Sequence, residues 1–419
     1  MDFYKIRFFS GLSAALSALM VAGVSLLGSQ ARADEAFKFD FHGFVSTTAY
    51  YQSTPDFLLN GQGPLLALAT KQSPTLGFDA RQTRLNFAAT GPEVLGGATP
   101  KGFVEMDFFG LNSAGSYGEV SALPRLRLAY AELNWGNTIV RAGQDWELLN
   151  AQIPLSLSHI AFPFYGAGFI AWREPGVGVT HNMNIGESKL ELGGQILKSD
   201  WQNPYDFGLT TNNDKNVDAG QLSGLPGLEA RAKLTLNNSF VYVVGHWNRV
   251  GASHVGEMAN VPTVKYPDDT ITANSPTRDF DVIAVKLGGK TKFSGVTLAG
   301  EVYSGKNLGP MLGNLLQFPI QNDIHEIGGW FQAGYDLTDK ISGFALYSTS
   351  VPNSSDAATA NAAAGGTKEV RLSNSLEGLL IQYKDGAFAA GPEIFFVRTE
   401  LASGVVNNRQ YALSANYAF

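Results

Sequence analysis

The chain has no cysteine, only six histidines and no basic tract, and beyond Gly28 it has no apolar run long enough to cross a bilayer as a helix. Each absence removes a class of protein. Without cysteine there is no disulfide scaffold, thiolate metal centre or thiol nucleophile, and an exported chain runs no risk of mispairing. The net charge of −7 without a cationic patch speaks against a nucleic-acid partner. The lack of a second long apolar segment excludes a helical transporter. His42, His159, His181, His246, His254 and His325 are scattered, and no serine near them sits in a nucleophile motif, so no hydrolase and no other enzyme is expected. No cofactor is implied.

What the chain does have is glycine (47), phenylalanine (27) and tyrosine (15), with a mean hydropathy of only −0.03 over 419 residues. A sheet whose strands spend every second residue on a polar lumen has this profile, because its membrane strands never add up to a hydropathy peak. A chain of this length would ordinarily divide into two or three soluble domains, yet nothing reads as an interdomain linker. One large closed sheet is the simpler reading.

The N-terminus carries an export address. Lys5 and Arg7 precede an apolar run from Phe8 to Gly28, and Ala31-Arg32-Ala33 forms a small-x-small cleavage site before Asp34. Residues 1–33 therefore read as a signal peptide and 34–419 as the mature domain. Removal of Lys5, Arg7 and Arg32 against Asp2 leaves the mature chain still more acidic.

Period-2 alternation begins almost at once. Phe37, Phe39, Phe41, Gly43, Val45, Thr47, Ala49 and Tyr51 share one face, against Lys38, Asp40, His42, Ser46 and Thr48 on the other. Leu228, Ala230, Ala232, Leu234 and Leu236 alternate with Glu229, Arg231, Lys233 and Thr235, which no soluble sandwich core would accommodate. Short turns at Gly136-Asn137, 185–187, 237–239, Ser294-Gly295, 338–340 and Asp385-Gly386 alternate with long connections near 53–75, 110–123, 147–172, 198–225, 251–277, 306–325, 350–368 and 400–408. The rhythm predicts an all-β transmembrane antiparallel barrel of about 16 strands, a size that keeps an aqueous channel. At the C-terminus Tyr411, Leu413, Ala415, Tyr417 and Phe419 alternate with polar residues, and Tyr417 and Phe419 resemble the insertion signal of bacterial outer-membrane proteins.

Further likeness lies in particular stretches. Residues 80–85 (ARQTRL), 105–110 (EMDFFG), 125–130 (RLRLAY) and 141–146 (RAGQDW) resemble the second to fifth strands of general trimeric porins. Residues 300–309 (GEVYSGKNLG) and 328–332 (GGWFQ) resemble the DcaP-like branch, whose members take up small dicarboxylic and aromatic acids. DcaP proteins usually carry a helical coiled coil ahead of the barrel, whereas here the β pattern starts within a few residues of the cleavage site. The resemblance implies a homotrimer in outer-membrane lipid, small hydrophilic solutes as partners, and a third external loop folded inward to narrow the channel.

Glu147 to Trp172 stands in the place of that loop, and Glu147 is its only acid. Strands two, four and five offer Arg84, Arg125, Arg127 and Arg141 opposite it, with Arg81 and Arg173 near the ends of their strands and Glu105 and Asp107 among them. These residues are the expected pore constriction, and an arginine row facing a loop almost without acid implies a preference for small anions such as carboxylates. The plainer reading is that the arginines pair with Glu105, Asp107, Asp145 or Glu191 and stiffen the wall. By parity Arg81, Glu132 and Arg398 fall on the outer face, the last two in the headgroup rim. Asp214, Asn216 and Asp218 have a calcium-loop spacing, but Ala219 and Leu225 stand where the loop needs glycine and glutamate, so no metal is expected. The Ala-rich stretch 357–364 reads as a flexible external loop. The alternative to a diffusion channel is a surface adhesion or structural barrel working through its long loops.

Overall fold

The computed structural model describes residues 37–53, 66–67, 73–110, 122–158, 165–199, 223–250, 279–313, 323–363 and 369–419. The signal-peptide segment, His159, His254, the Asp214–Asp218 motif and Ala364 lie outside them. Seventeen strands follow in order: β1 Lys38–Gln52, β2 Thr75–Asp79, β3 Arg84–Thr90, β4 Thr99–Gly110, β5 Leu123–Asn134, β6 Thr138–Trp146, β7 Arg173–Ile185, β8 Ser188–Leu197 and β9 Gly227–Leu236. They continue with β10 Ser239–Val250, β11 Phe280–Phe293, β12 Val296–Lys306, β13 His325–Asp336, β14 Ile341–Pro352, β15 Arg371–Asp385, β16 Phe388–Leu401 and β17 Gly404–Ala418.

All strand pairings are antiparallel, sequence neighbours pair with each other except β2 with β3, and β1 pairs with β17, so the sheet closes on itself. β2 and β3 are two pieces of one stave. β1 pairs with β2 through Thr48–Gln52 and with β3 through Lys38–Phe44, which makes the barrel 16-stranded. In the break, Thr83 Oγ1 accepts from the Ser46 amide (3.2 Å) and Gln82 Oε1 accepts from the Ser46 hydroxyl (3.2 Å), so side chains stand in for the missing ladder.

The outer face is apolar and bare: Phe39, Phe41, Leu76, Phe78, Val302, Ile327, Leu413 and Tyr417 are all exposed. Alternate residues turn inward, where Ser46, Thr48, Glu105, Asp107, Lys286, Glu301, Glu393 and Gln410 are buried. A surface this apolar is what lipid requires, and closure leaves no unpaired edge within it.

Three expectations change. The connection placed at 400–408 is a tight turn, Ala402-Ser403, whose amides donate to the Val370 carbonyl and the Glu369 carboxylate of the adjoining loop. Residues 357–363 of the Ala-rich stretch lie in a helix, α1 Ser354–Ala363, because Asn353 caps it: its Oδ1 accepts from the amides of Ser355 and Asp356, and alanine supplies the propensity. Glu132 is not on the outer face. A bulge in β5 pairs Glu105 with Leu128 but Met106 with Leu126, leaving Arg127 as the extra residue and reversing parity beyond it. Arg398 is exposed near the end of β16, as parity expected.

The last residue takes part in closure. Phe419 exchanges two backbone hydrogen bonds with Gly43 (3.1 and 3.0 Å), and its ring packs 5.5 Å from Phe41. Deleting Phe419 removes both bonds and the ring contact at the seam. The fraction of protein that runs as a compact, heat-modifiable band on an unheated gel should fall several-fold, and a normal fraction would show that closure does not need this residue.

Candidate functional site

The residues after β6 leave the wall and run across the inside of the barrel. At the root, the Glu147 amide donates to the Trp172 carbonyl (3.0 Å), and the Trp172 amide donates to Glu147 Oε2 (2.7 Å). Outward, the Leu148 amide donates to Glu229 on β9, and Gln152 Nε2 donates to the carbonyls of Gly289 and Gly300 on β11 and β12 (3.1 and 2.6 Å). Leu155 exchanges two bonds with the Gln332 amide on β13 (both 2.8 Å). Glu393 Oε2 on β16 then accepts from the Ser156 hydroxyl and the amides of Leu157 and Ser158 (2.9, 3.2 and 2.8 Å).

The return limb is held in the same way. Asn374 Nδ2 on β15 donates to the Gly166 carbonyl (2.8 Å), the Gly168 amide donates to Ser350 Oγ on β14 (2.8 Å), and Lys286 Nζ on β11 donates to the Ile170 carbonyl (2.8 Å). A loop inside a barrel leaves peptide groups without ladder partners, and these lumen-facing side chains supply them. Lys286 is completely buried, salt-bridged to Glu301 (2.7 Å) and 4.7 Å over the Phe169 ring, while Tyr242 donates to the other Glu301 oxygen. Gly168 has φ +98, and a Cβ there would lie 2.2 Å from the Gly329 carbonyl oxygen, so the loop lies against bare backbone at a glycine. The Glu147 carboxylate is buried beside Glu229.

The arginines expected at the constriction lie on the β2–β7 staves. Arg125 forms a two-pronged bond to Asp107 (3.0 and 2.6 Å). Arg127 bridges Glu105 (2.7 Å) and Asp107 (2.8 Å), and Arg84 approaches Glu105 at 3.6 Å. Arg81 lies in the break between β2 and β3, where strand parity does not apply. It binds Asp79, and its guanidinium stands 4.9 Å from the Phe109 ring that Arg125 approaches at 5.8 Å. Arg173 is buried and has no ion pair among the described residues. It stacks 5.0 and 4.7 Å over Trp146 and Trp172, and Arg127 lies 5.9 Å over the same Trp146 ring.

Arg81, Arg84, Arg125, Arg127 and Arg173 thus gather around three carboxylates, Asp79, Glu105 and Asp107. Arg141 is not part of this group. It pairs with Glu132 and Asp145 and stacks 4.2 Å over Tyr130 towards the short-turn rim. The loop anchors Glu229, Lys286, Glu301, Gln332, Ser350, Asn374 and Glu393 were not singled out from the sequence. Their only signal is a polar residue at a lumen-facing position, which every strand shows.

No family model matches the chain, and no curated relative matches it. Among solved structures, it is similar to the outer-membrane channel DcaP of Acinetobacter baumannii, with 16% identity, 94% of this chain and 99% of that chain covered, and a TM-score of 0.66. It is also similar to OmpF of Salmonella typhi (12%, 92% and 100%, TM-score 0.54) and to a trimer form of OmpT of Vibrio cholerae (12%, 92% and 100%, TM-score 0.52). The chain has the fold of the outer-membrane porins.

Removing one partner of a buried ion pair typically costs about 3–5 kcal/mol, because the other charge stays buried. Lys286→Met should therefore lower the urea midpoint of the folded barrel, and adding Glu301→Gln should restore most of the loss. An unchanged midpoint in the single variant would mean that Lys286 does not hold the loop.

Proposed function

We propose that the protein is a passive diffusion channel of the outer membrane, acting as a homotrimer and favouring small anions, carboxylates among them. The reading is supported by the porin fold and carried by one observation: among the described residues five arginines gather around three carboxylates, and Arg173 stacks on Trp172 at the foot of a loop whose single acid, Glu147, is buried at its root. Pairing does stiffen the wall, as the plainer reading expects, but it leaves the cluster with an excess of positive charge. The loop provides no acidic surface to oppose that excess.

The magnitude is adequate. Two unit charges 4 Å apart at an effective dielectric of 20 interact by about 4 kcal/mol, and a quarter of that changes local ion concentration about fivefold. Screening confines the effect to about 8 Å at physiological salt, so it acts only where the channel is narrow. Wide parts of the lumen contribute little. Arg141, paired twice and near the opposite rim, has a structural role, whereas Arg84, Arg125, Arg127, Arg81 and Arg173, set against Glu105 and Asp107, form the filter.

Arg125→Gln with Arg127→Gln removes two charges without placing a new carboxylate beside Asp107, which should bring the cluster to balance. In a planar bilayer with a KCl gradient, the wild-type reversal potential should have the sign of an anion-preferring pore, and the double variant should move it at least halfway to zero. A cation-preferring wild type would overturn the assignment of sign. Closed traces from correctly folded protein would favour a surface adhesion role for the long loops.

A further inference from the structure

We propose that Glu147, Glu229 and His246 form a binding site for a borderline divalent cation of the Zn²⁺ type, fastening the root of the inward loop to the barrel wall. The three side chains come from the loop, β9 and β10, and one ligand atom from each lies within 4.8 Å of the others. All three are buried, and Glu229 and His246 sit directly opposite each other in the β9–β10 register. The proposal does not depend on whether or how the channel selects ions.

The site is oriented from behind. His246 Nε2 faces Asn248 Oδ1 at 3.0 Å, while the Asn248 amide group donates to Ser199 Oγ (3.1 Å), whose hydroxyl donates to the Arg249 carbonyl (2.9 Å). That chain fixes the Asn248 oxygen towards the imidazole, so Nε2 carries the proton. Nδ1 then faces Glu229 Oε1, 2.8 Å away. Metal-ligating imidazoles are characteristically held in this way by a hydrogen bond at the other nitrogen.

Both carboxylates are divided between two tasks. Glu229 Oε2 accepts from the Leu148 amide and Gln195, leaving Oε1 for a cation, and Glu147 Oε2 accepts from the Trp172 amide, leaving Oε1. Elsewhere in the lumen Glu105, Asp107, Glu191 and Glu301 each have an arginine or lysine within ion-pair distance. Among the described residues neither Glu147 nor Glu229 has one, so His246 faces two carboxylates alone. A dication with a neutral imidazole balances both. One nitrogen and two carboxylate oxygens suit Zn²⁺ or Co²⁺ rather than Ca²⁺ or Mg²⁺, and leave room for water as a further ligand.

The test uses the full-length folded protein in detergent after chelator dialysis, with Co²⁺ and Zn²⁺ alone as probes. Co²⁺ should give saturable visible absorption at one equivalent per chain, and Zn²⁺ should abolish it. His246→Gln should weaken Zn²⁺ binding at least tenfold by calorimetry, whereas His181→Gln, an exposed imidazole on β7, should leave it unchanged. If His246→Gln fails to give the heat-modifiable band, Glu147→Gln serves instead, since it lies off the strands and keeps an acceptor for Trp172. It should also weaken binding at least tenfold. Absence of saturable binding, or equal affinity in the folded site variant and wild type, would overturn the proposal.

Discussion

Lipid offers no hydrogen bonds, and the rest of this structure depends on that constraint. Every peptide group on the membrane-facing wall must be paired within the sheet, so the chain returns its last strand to its first and ends with Phe419 hydrogen-bonded to Gly43. Closure of 16 staves makes a lumen too wide for wall side chains to fill. The same constraint allows irregular backbone at membrane depth only inside, lining water. Residues 147–158 and 165–172 form such segments, and they transfer the pairing problem from lipid to lumen.

The lumen solves it with side chains. Glu393 accepts from three donors on consecutive residues, Gln332 pairs with both the amide and the carbonyl of Leu155, and Lys286 reaches the Ile170 carbonyl from a completely buried position. A buried carboxylate or ammonium carries a large desolvation cost, which direct contact with loop amides, carbonyls and an opposite charge offsets. The inner wall from β9 to β16 is therefore given over to holding the loop. The arginine cluster lies on the β2–β7 staves, so the two parts of the wall differ in what their inward side chains bind.

Much of this was legible in the sequence because barrel strands repeat one simple rule. Alternation over residues 37–51 and 228–236, together with turns such as Ser294-Gly295, marks staves and connections without any tertiary information. Parity failed where the chain leaves the rule by a single residue. The extra Arg127 in β5 turned Glu132 inward, and the break at 80–83 removed Arg81 from either face. Helix α1 was missed because its decisive feature is the Asn353 cap and not the periodicity of its alanines. The loop anchors were not legible at all. Glu393 at a lumen position looks like any solvated carboxylate until Ser158, 235 residues away, is placed against it.

The same distinction bears on charge. A count of arginines on strands two to five suggests a row of free cations, but the structure pairs Arg125 and Arg127 with Glu105 and Asp107 at 2.6 to 2.8 Å. A paired guanidinium at a partly wet surface presents a dipole to the lumen more than a charge, and its field falls off faster than that of a lone ion. Within the cluster, the guanidinium without an ion pair among the described residues is Arg173, held between two indoles at the loop root rather than in the row itself. On the proposed reading the carboxylates fix the geometry of the row, and the surplus of guanidinium over carboxylate, Arg173 included, carries the sign. Neither role can be assigned from a residue's type or its place on a strand, only from what stands within 4 Å of it.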